Sequence, residues 1–369
     1  LCCCARTEVN GRWVNFQLQR WVSFTLPLTM TISRKQQICL EETPYYHCTS
    51  RCVRQAFLCG EDELTGRSYE HRRDWIVKKL KRLDAVFSIS ICAYAVMHNH
   101  THTVLKIDRE TALKWCDDEV IARWTKLYKP SPIVSRYLNG IKLSKAELDV
   151  VTEDIRKWRH RLYDVSWFMR NLNESIARQA NAEDNCTGKF WEGRFTSQAL
   201  LDEAALLTCM SYVDLNPVRA KIADRPEESD FTSIQERIRH YQKMVEQTGD
   251  PAEAATTAPT HLLPFFCGED QEKTIGLTFS LPDYLELTDW AGRAIREDKS
   301  GAIPSELAPI LERLNIDPEA WLDCVKNYGK NYNTVIGTRE KIKQFSKAIG
   351  RKWFCLSGYS LQIYQTMLV

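Results

Sequence analysis

What the chain lacks narrows what it can be. It has no Gly-x-x-x-x-Gly-Lys loop to cradle a nucleoside triphosphate, so no nucleotide cofactor is expected. It has no Cys-x-x-Cys pair, and Cys48, Cys52 and Cys59 are wrongly spaced for a zinc knuckle. Most of the fourteen cysteines are scattered singly through apolar runs, where a reduced thiol behaves as a small hydrophobe. That usage fits a reducing cytoplasm. No apolar run reaches membrane-spanning length, and Arg20 breaks the stretch a signal peptide would need. There is no global field of one sign either, because the formal net charge is only +2. No internal repeat is visible.

What is present is a soluble globular composition, 44% hydrophobic over 369 residues, with room for two domains. Charge is patchy rather than absent. Between Arg67 and Arg82 seven Lys/Arg face two acids, a local +5, and Asp154–Arg161 is again basic. Such clusters are solvated helix faces or the footprint of a phosphate backbone. Residues 1–30 show no usable periodicity and read as a disordered tail or a translation-start artefact ahead of Met30. Tyr45–Arg51 reads as a strand, Arg67–Leu83 as an amphipathic helix and Phe87–Ala93 as a second strand. A helical insertion spans 109–163. The segment Trp167–Asn181 resumes as helix, Phe190–Gln198 reads as strand, and Asp202 caps a helix to Leu215, stopped at Asn216-Pro217. Residues 246–262 look like a linker, and 263–369 like a mostly helical C-terminal domain in which Lys343, Lys347 and Arg351 share a face. The pattern predicts an α+β fold, an antiparallel sheet with helices packed on one face, with the catalytic domain at 31–245.

The chain is organised around Tyr94-Ala-Val-Met-His-Asn-His-Thr-His-Thr-Val-Leu-Lys-Ile107. In a strand, residues two apart project to the same face, so His100 and His102 aim two imidazoles at one point. Polar rings in an otherwise apolar strand are rarely there for packing, and two of them favour a divalent-cation site. His98 would fall on that face too. On the Asp202–Leu215 helix, Ala205, Cys209, Met210 and Val213 form a buried stripe. Tyr212 sits at its border, one turn from Asn216. The Asn oxygen would complete a three-ligand site. The phenol, with a pKa near 10, would need such a cation nearby to attack a phosphodiester.

Four stretches in order carry a resemblance: Tyr45-Tyr46-His47-Cys48-Thr49-Ser50-Arg51, Tyr94-Ala-Val-Met-His-Asn-His-Thr-His, Trp191-Glu-Gly-Arg194-Phe195 and Tyr212-Val-Asp-Leu-Asn216-Pro-Val-Arg219-Ala. Together they resemble the single-tyrosine HUH transposases, within them the REP-associated tyrosine transposases. His98 departs from that pattern, which carries proline before Asn-His. The resemblance implies a ferredoxin-like catalytic domain that binds single-stranded or hairpin DNA and forms a 5′-phosphotyrosine link. By the same resemblance Tyr212 is the nucleophile, and His100, His102 and Asn216 hold Mg²⁺ or Mn²⁺. Two imidazoles lean toward Mn²⁺, since Mg²⁺ prefers oxygen. DNA is expected to be held by Arg51, Arg54, Arg178, Lys189, Trp191 and Arg194. The expected location is the cytoplasm, with the nucleoid. Monomer and homodimer stay open.

Three other readings compete. The fold could be retained as a hairpin DNA or RNA binder with little or no cleavage. A metal-free phosphodiesterase would need two His-x-Thr motifs, and only His47-Cys48-Thr49 fits. A zinc hydrolase would need a carboxylate or Cys beside the two histidines. His98-Asn99-His100 is no sign of an HNH nuclease, whose residues are spread apart.

Overall fold

In this computed structural model the described residues are 8–9, 12–13, 33–53, 58–61, 66–265, 276–296, 311, 314, 316–331 and 334–351. The chain divides into two compact units, residues 1–33 and 34–369. In the first, the short strands Glu8–Val9 and Arg12–Trp13 pair antiparallel, and the rest of residues 1–29 lies outside the described residues.

The second unit is built on a five-stranded sheet. Its strands are β1 (Tyr45–Arg51), β2 (Ile89–Val96), β3 (His100–Ile107), β4 (Thr196–Leu200) and β5 (Val335–Ile336). They run in the order β2-β3-β1-β4-β5, antiparallel throughout except that β5 lies parallel to β4. Strand β4 starts at Thr196, later than the expected Phe190. The residues before it instead brace β1: Cys52 bridges Trp191, and Val53 N–H donates to the Phe190 carbonyl.

Register decides which polar groups meet. Across β1 and β3, Thr49 stands opposite His102 and Arg51 opposite His100. Across β1 and β4, His47 stands opposite Gln198 and Thr49 opposite Thr196. With a side-chain period of two, all seven project from one face. His98 does not join them. It lies in the tight turn between β2 and β3, closed by Met97 N–H donating to the His100 carbonyl, so the two-residue alternation does not extend back to it.

Helices cover both faces, not one. On one face lie α1 (His71–Asp84), the insertion helices α2 (Arg109–Lys114), α3 (Asp117–Thr125), α4 (Pro132–Leu138) and α5 (Lys145–Arg161), and α6 (Val165–Glu183). They bury Ile76, Leu80, Phe168, Leu172 and Ile176 with Tyr46, Cys48 and Leu105 of the sheet. Helix α5 starts at a capping box between Ser144 and Glu147, a strong local start signal. Two cations of the basic run are spent inside the protein, while Arg67, Lys78, Lys81 and Arg82 stay exposed. Arg72 is fully buried and ion-paired to Glu183 and Asp184 at the α6 C-terminus, and Arg73 donates to the Val96 carbonyl.

On the other face, Asp202 caps α7 (Glu203–Asp214) by accepting from Ala205 N–H. The sequence pattern predicts one buried stripe here, yet every residue from Ala204 to Asp214 is buried. The reason is that α7 is covered twice, by the sheet and by α11 (Leu281–Arg296) and α12 (Pro318–Asn331). Asp214 accepts from the Ser233 and Tyr284 hydroxyls and from Ile234 N–H, tying these layers together. Between α7 and α11 come α8 (Asn216–Arg219), α9 (Ser233–Thr248) and α10 (Pro251–Ala255), so helix occupies part of the expected linker. The described part of the expected C-terminal domain belongs to the same compact unit as the sheet and supplies its fifth strand. The last described helix, α13 (Arg339–Ala348), leaves Lys343 and Lys347 exposed.

A candidate active-site cleft between the sheet and two tyrosines

The polar face of the sheet opens into a cleft of about 240 Å³, lined by His47, Thr49, Arg51, His100, His102, Thr196, Gln198, Tyr212, Tyr328 and Gly329. The sheet supplies the first seven, α7 supplies Tyr212, and α12 supplies the last two. The His100 and His102 rings lie 4.7 Å apart centre to centre, and the Tyr212 ring sits edge-on to His102 at 5.5 Å. The two strand histidines and the helix tyrosine, expected together from the sequence, are therefore neighbours in space.

Hydrogen bonds order the imidazoles. With the Gln198 Oε1 as acceptor at 3.2 Å, His47 carries its proton on Nδ1. The neutral ring then presents Nε2 as an acceptor, and His102 Nδ1 donates to it over 2.9 Å. That leaves the lone pair on His102 Nε2, a buried atom with no partner among the described residues. His100 Nδ1 donates to Asn99 Oδ1 at 2.5 Å, which frees its Nε2 likewise. A metal-binding histidine is ordinarily held this way, its other ring nitrogen occupied by a fixed acceptor.

All three rings stay neutral near pH 7. Burial pushes His47 and His100 down to about 4, with Arg51 and His47 adding repulsion at His100. Burial and the neighbouring His100 hold His102 well below the ordinary range. The consequence for stability has a definite sign. The unfolded chain takes up these protons as pH falls through about 6.5, whereas the fold resists until about 4. Stability is complete above that window and is lost as pH falls across it. Each ring that resists protonation costs the fold roughly 1.4 kcal/mol for every pH unit crossed. Asp214 opposes this. Burial raises it to about 6 and Asp84 to about 7, so their contributions grow on acidification, but two carboxyls stand against three rings. The denaturation midpoint is expected to drop between pH 7 and pH 5, and His47→Gln should flatten the drop. A pH-independent midpoint would contradict the neutral-ring arrangement.

Tyr212 is only 8% exposed because Tyr328 stacks on it, 4.4 Å between ring centres and 20° from parallel. The Tyr328 hydroxyl donates to Gln198 Oε1 at 2.6 Å. A Cβ at position 329 would stand 3.2 Å from the Tyr212 hydroxyl, so glycine allows α12 this close an approach. On the ring's other flank, the Arg219 guanidinium lies 4.8 Å from its centre and donates to the Lys326 carbonyl.

The other expected site residues fall in several places. Asn216 begins α8, buried, its Nδ2 without a hydrogen-bond partner among the described residues, but it does not line the cleft. Arg51 does line it and is exposed. Lys189 and Arg194 are exposed on the segment leading into β4. Trp191 is half-buried and donates its indole N–H to the Asn173 carbonyl, which makes it a brace between that segment and α6. Arg178 is exposed on α6, ion-paired with Glu174, and lines a different cleft. Arg54 lies outside the described residues. His98 is exposed near Gly60. Sequence reasoning did not pick out His47, Gln198, Arg219 and Tyr328. The alternation Tyr45, His47, Thr49, Arg51 was available as a signal for the first, but Tyr328 stands in no motif.

Among the described residues no group of three or more His, Cys, Asp or Glu is placed to hold a metal ion. The third strand histidine, His47, is engaged with His102 rather than free. The donors that suit a divalent cation are thus two imidazole nitrogens, which require an oxygen ligand beside them. No described helix is long and apolar enough to cross a membrane. No family model and no curated protein matches the sequence. A solved structure of the REP-associated tyrosine transposase bound to a REP hairpin is similar in part, with a TM-score of 0.32 and 10% identity over 64% of this chain and 93% of that one.

Proposed function

We propose that this cleft cuts and rejoins single-stranded DNA at a hairpin, with Tyr212 as nucleophile and His100 and His102 holding Mg²⁺ or Mn²⁺, Asn216 supplying the third ligand by moving in from just outside the cleft lining. The observation that carries the reading is the Tyr212 phenol beside the buried, unpartnered Nε2 of His102, in a cleft whose rim is the exposed Arg51. Hairpin DNA as substrate rests on the four sequence blocks. When bound, the cation would neutralise charge on the scissile phosphate.

The chain's own groups account for the rest. Tyr212 Oη loses its proton to solvent and attacks phosphorus. The new P–O bond links the 5′ side of the break to the tyrosine, and the P–O3′ bond breaks to leave a 3′-hydroxyl. A 3′-hydroxyl attacking the phosphotyrosine reverses the step, so the bond energy is conserved. Arg219 over the Tyr212 ring and Tyr328 stacked beneath it hold the phenol in place. Arg51 lines the cleft, Lys189 and Arg194 are exposed on the segment leading into β4, and these three cations would take phosphates.

The test is a denaturant-resistant protein–DNA adduct formed with hairpin oligonucleotides drawn from DNA flanking the gene. The adduct is expected with Mn²⁺ or Mg²⁺, to vanish in EDTA and to return on adding either cation. An adduct indifferent to EDTA would remove the cation from the reading. A second reading, a hairpin binder that does not cleave, is favoured by the Tyr328 cover over Tyr212. Tight binding without any adduct would select it.

A further inference from the structure

A second and larger cleft, about 850 Å³, shares no residue with the first and lies where the insertion helices α3 and α5 meet α6. We propose that it is a binding site for single-stranded DNA, taking unpaired bases on an aromatic platform and phosphates on the surrounding cations. The proposal rests on the reading of this chain as one that handles unpaired DNA.

The platform is a layered stack. Trp124 lies parallel to Trp158 at 5.8 Å and to Tyr128 at 4.6 Å, and Trp167 meets both Trp124 and Tyr128 edge-on. Trp124 and Trp158 are buried and serve the core, whereas Tyr128 and Trp167 are half-exposed at the mouth. Asn171 pins Tyr128, accepting from its hydroxyl at 3.0 Å while its own amide donates to the backbone carbonyl of Trp167 one turn back in α6. Around them stand Lys79, Lys129, Arg161, Arg170 and Arg178, against a single acid, Glu174. Glu174 is already shared between Arg170 and Arg178, so five cations less one carboxylate leave four positive charges. Arg161 lies over the Trp167 ring at 4.2 Å and Arg170 at 5.1 Å.

Packing explains the buried tryptophans. It does not explain why the half-exposed rings at the mouth are flanked by guanidinium groups with so little carboxylate nearby. Aromatic faces interleaved with cations along a groove are what an unpaired nucleic acid strand requires, because every base has a π-face and every nucleotide a phosphate. An acidic peptide would satisfy the cations alone and leave the rings unused. Asn173, on the side of α6 turned to the sheet, donates to Ser50 Oγ at 2.8 Å, so the helix that lines the groove packs on the far face of the strand that carries Arg51.

The full chain in EDTA, where cleavage is not in play, should bind a fluorescent oligothymidylate, read by anisotropy over a range of salt. Lys129→Glu with Arg178→Glu, both exposed positions, should weaken binding at least about tenfold and reduce the logarithmic salt slope by about 1.4, roughly 0.7 per phosphate contact. Bound oligothymidylate should quench tryptophan emission, and Trp167→Phe should reduce that quenching. Unchanged affinity and slope in the double reversal would overturn the proposal, as would equal competition by polyglutamate. Failure of the cleavage reading would instead show as absence of an adduct while these binding results stand.

Discussion

Tyr212→Phe is expected to abolish the covalent protein–DNA adduct, a loss of at least about 10⁴-fold of the kind seen when a covalent nucleophile is removed. Hairpin binding should change little, since the lost hydroxyl makes no hydrogen bond to another described residue and its removal leaves ring packing intact. The cleft makes the control as informative as the variant. A second phenol, Tyr328, stacks on Tyr212 in the same cleft. Its hydroxyl is already committed to Gln198, whereas that of Tyr212 faces the close approach of Gly329. Tyr328→Phe should therefore keep an adduct, at a rate lowered by the loss of support to Gln198 and His47. The opposite pattern, an adduct persisting in Tyr212→Phe and lost in Tyr328→Phe, would move the nucleophile to α12. Loss of hairpin binding in Tyr212→Phe would instead make the tyrosine a binding residue.

Much of this arrangement could be read before any coordinates, and what could not has physical causes. Strand β3 and helix α7 announce themselves because alternation and the Asp202 cap are local signals. Placing His100, His102 and Tyr212 together needed four sequence blocks taken jointly, since no periodicity relates positions over a hundred residues apart. His47 escaped because its role depends on which strands flank β1. Only the register with β3 and β4 brings it between His102 and Gln198. Tyr328 escaped for the same reason, coming from a helix whose apolar pattern says that it packs but not against what. The +5 run between Arg67 and Arg82 misled, at two of its cations, in the other direction. Composition counts Arg72 as a charge open to phosphate, whereas the fold buries it against Glu183 and Asp184, and its neighbour Arg73 reaches the Val96 carbonyl. Helix α7 read as one-sided because the second layer over it lies some seventy residues and more downstream.

His102→Ala should eliminate cation-dependent activity, and the more discriminating result is at His47, which is not expected to touch the cation. The line from Gln198 through His47 fixes the His102 proton on Nδ1 and so keeps a lone pair on Nε2 facing the cleft. Without His47, only the Thr49 hydroxyl at 3.2 Å faces His102 Nδ1, and because a hydroxyl donates as readily as it accepts, the ring gains access to the other tautomer, which offers no lone pair there. Losing such an outer partner typically weakens metal affinity by about 10–100-fold. His47→Phe, which keeps bulk in a buried position, should therefore show weaker Mn²⁺ binding by that factor, measured from free Mn²⁺ in an EPR titration. Activity should be restored at high Mn²⁺, because the nucleophile and both imidazoles remain. Gln198→Leu removes the acceptor one step further out and should have the same effect, smaller in size. A merely structural role would lower thermal stability in both variants without moving the Mn²⁺ titration. Equal Mn²⁺ affinity in wild type and His47→Phe would thus dismiss the ordering of the rings while leaving the choice of Tyr212 untouched.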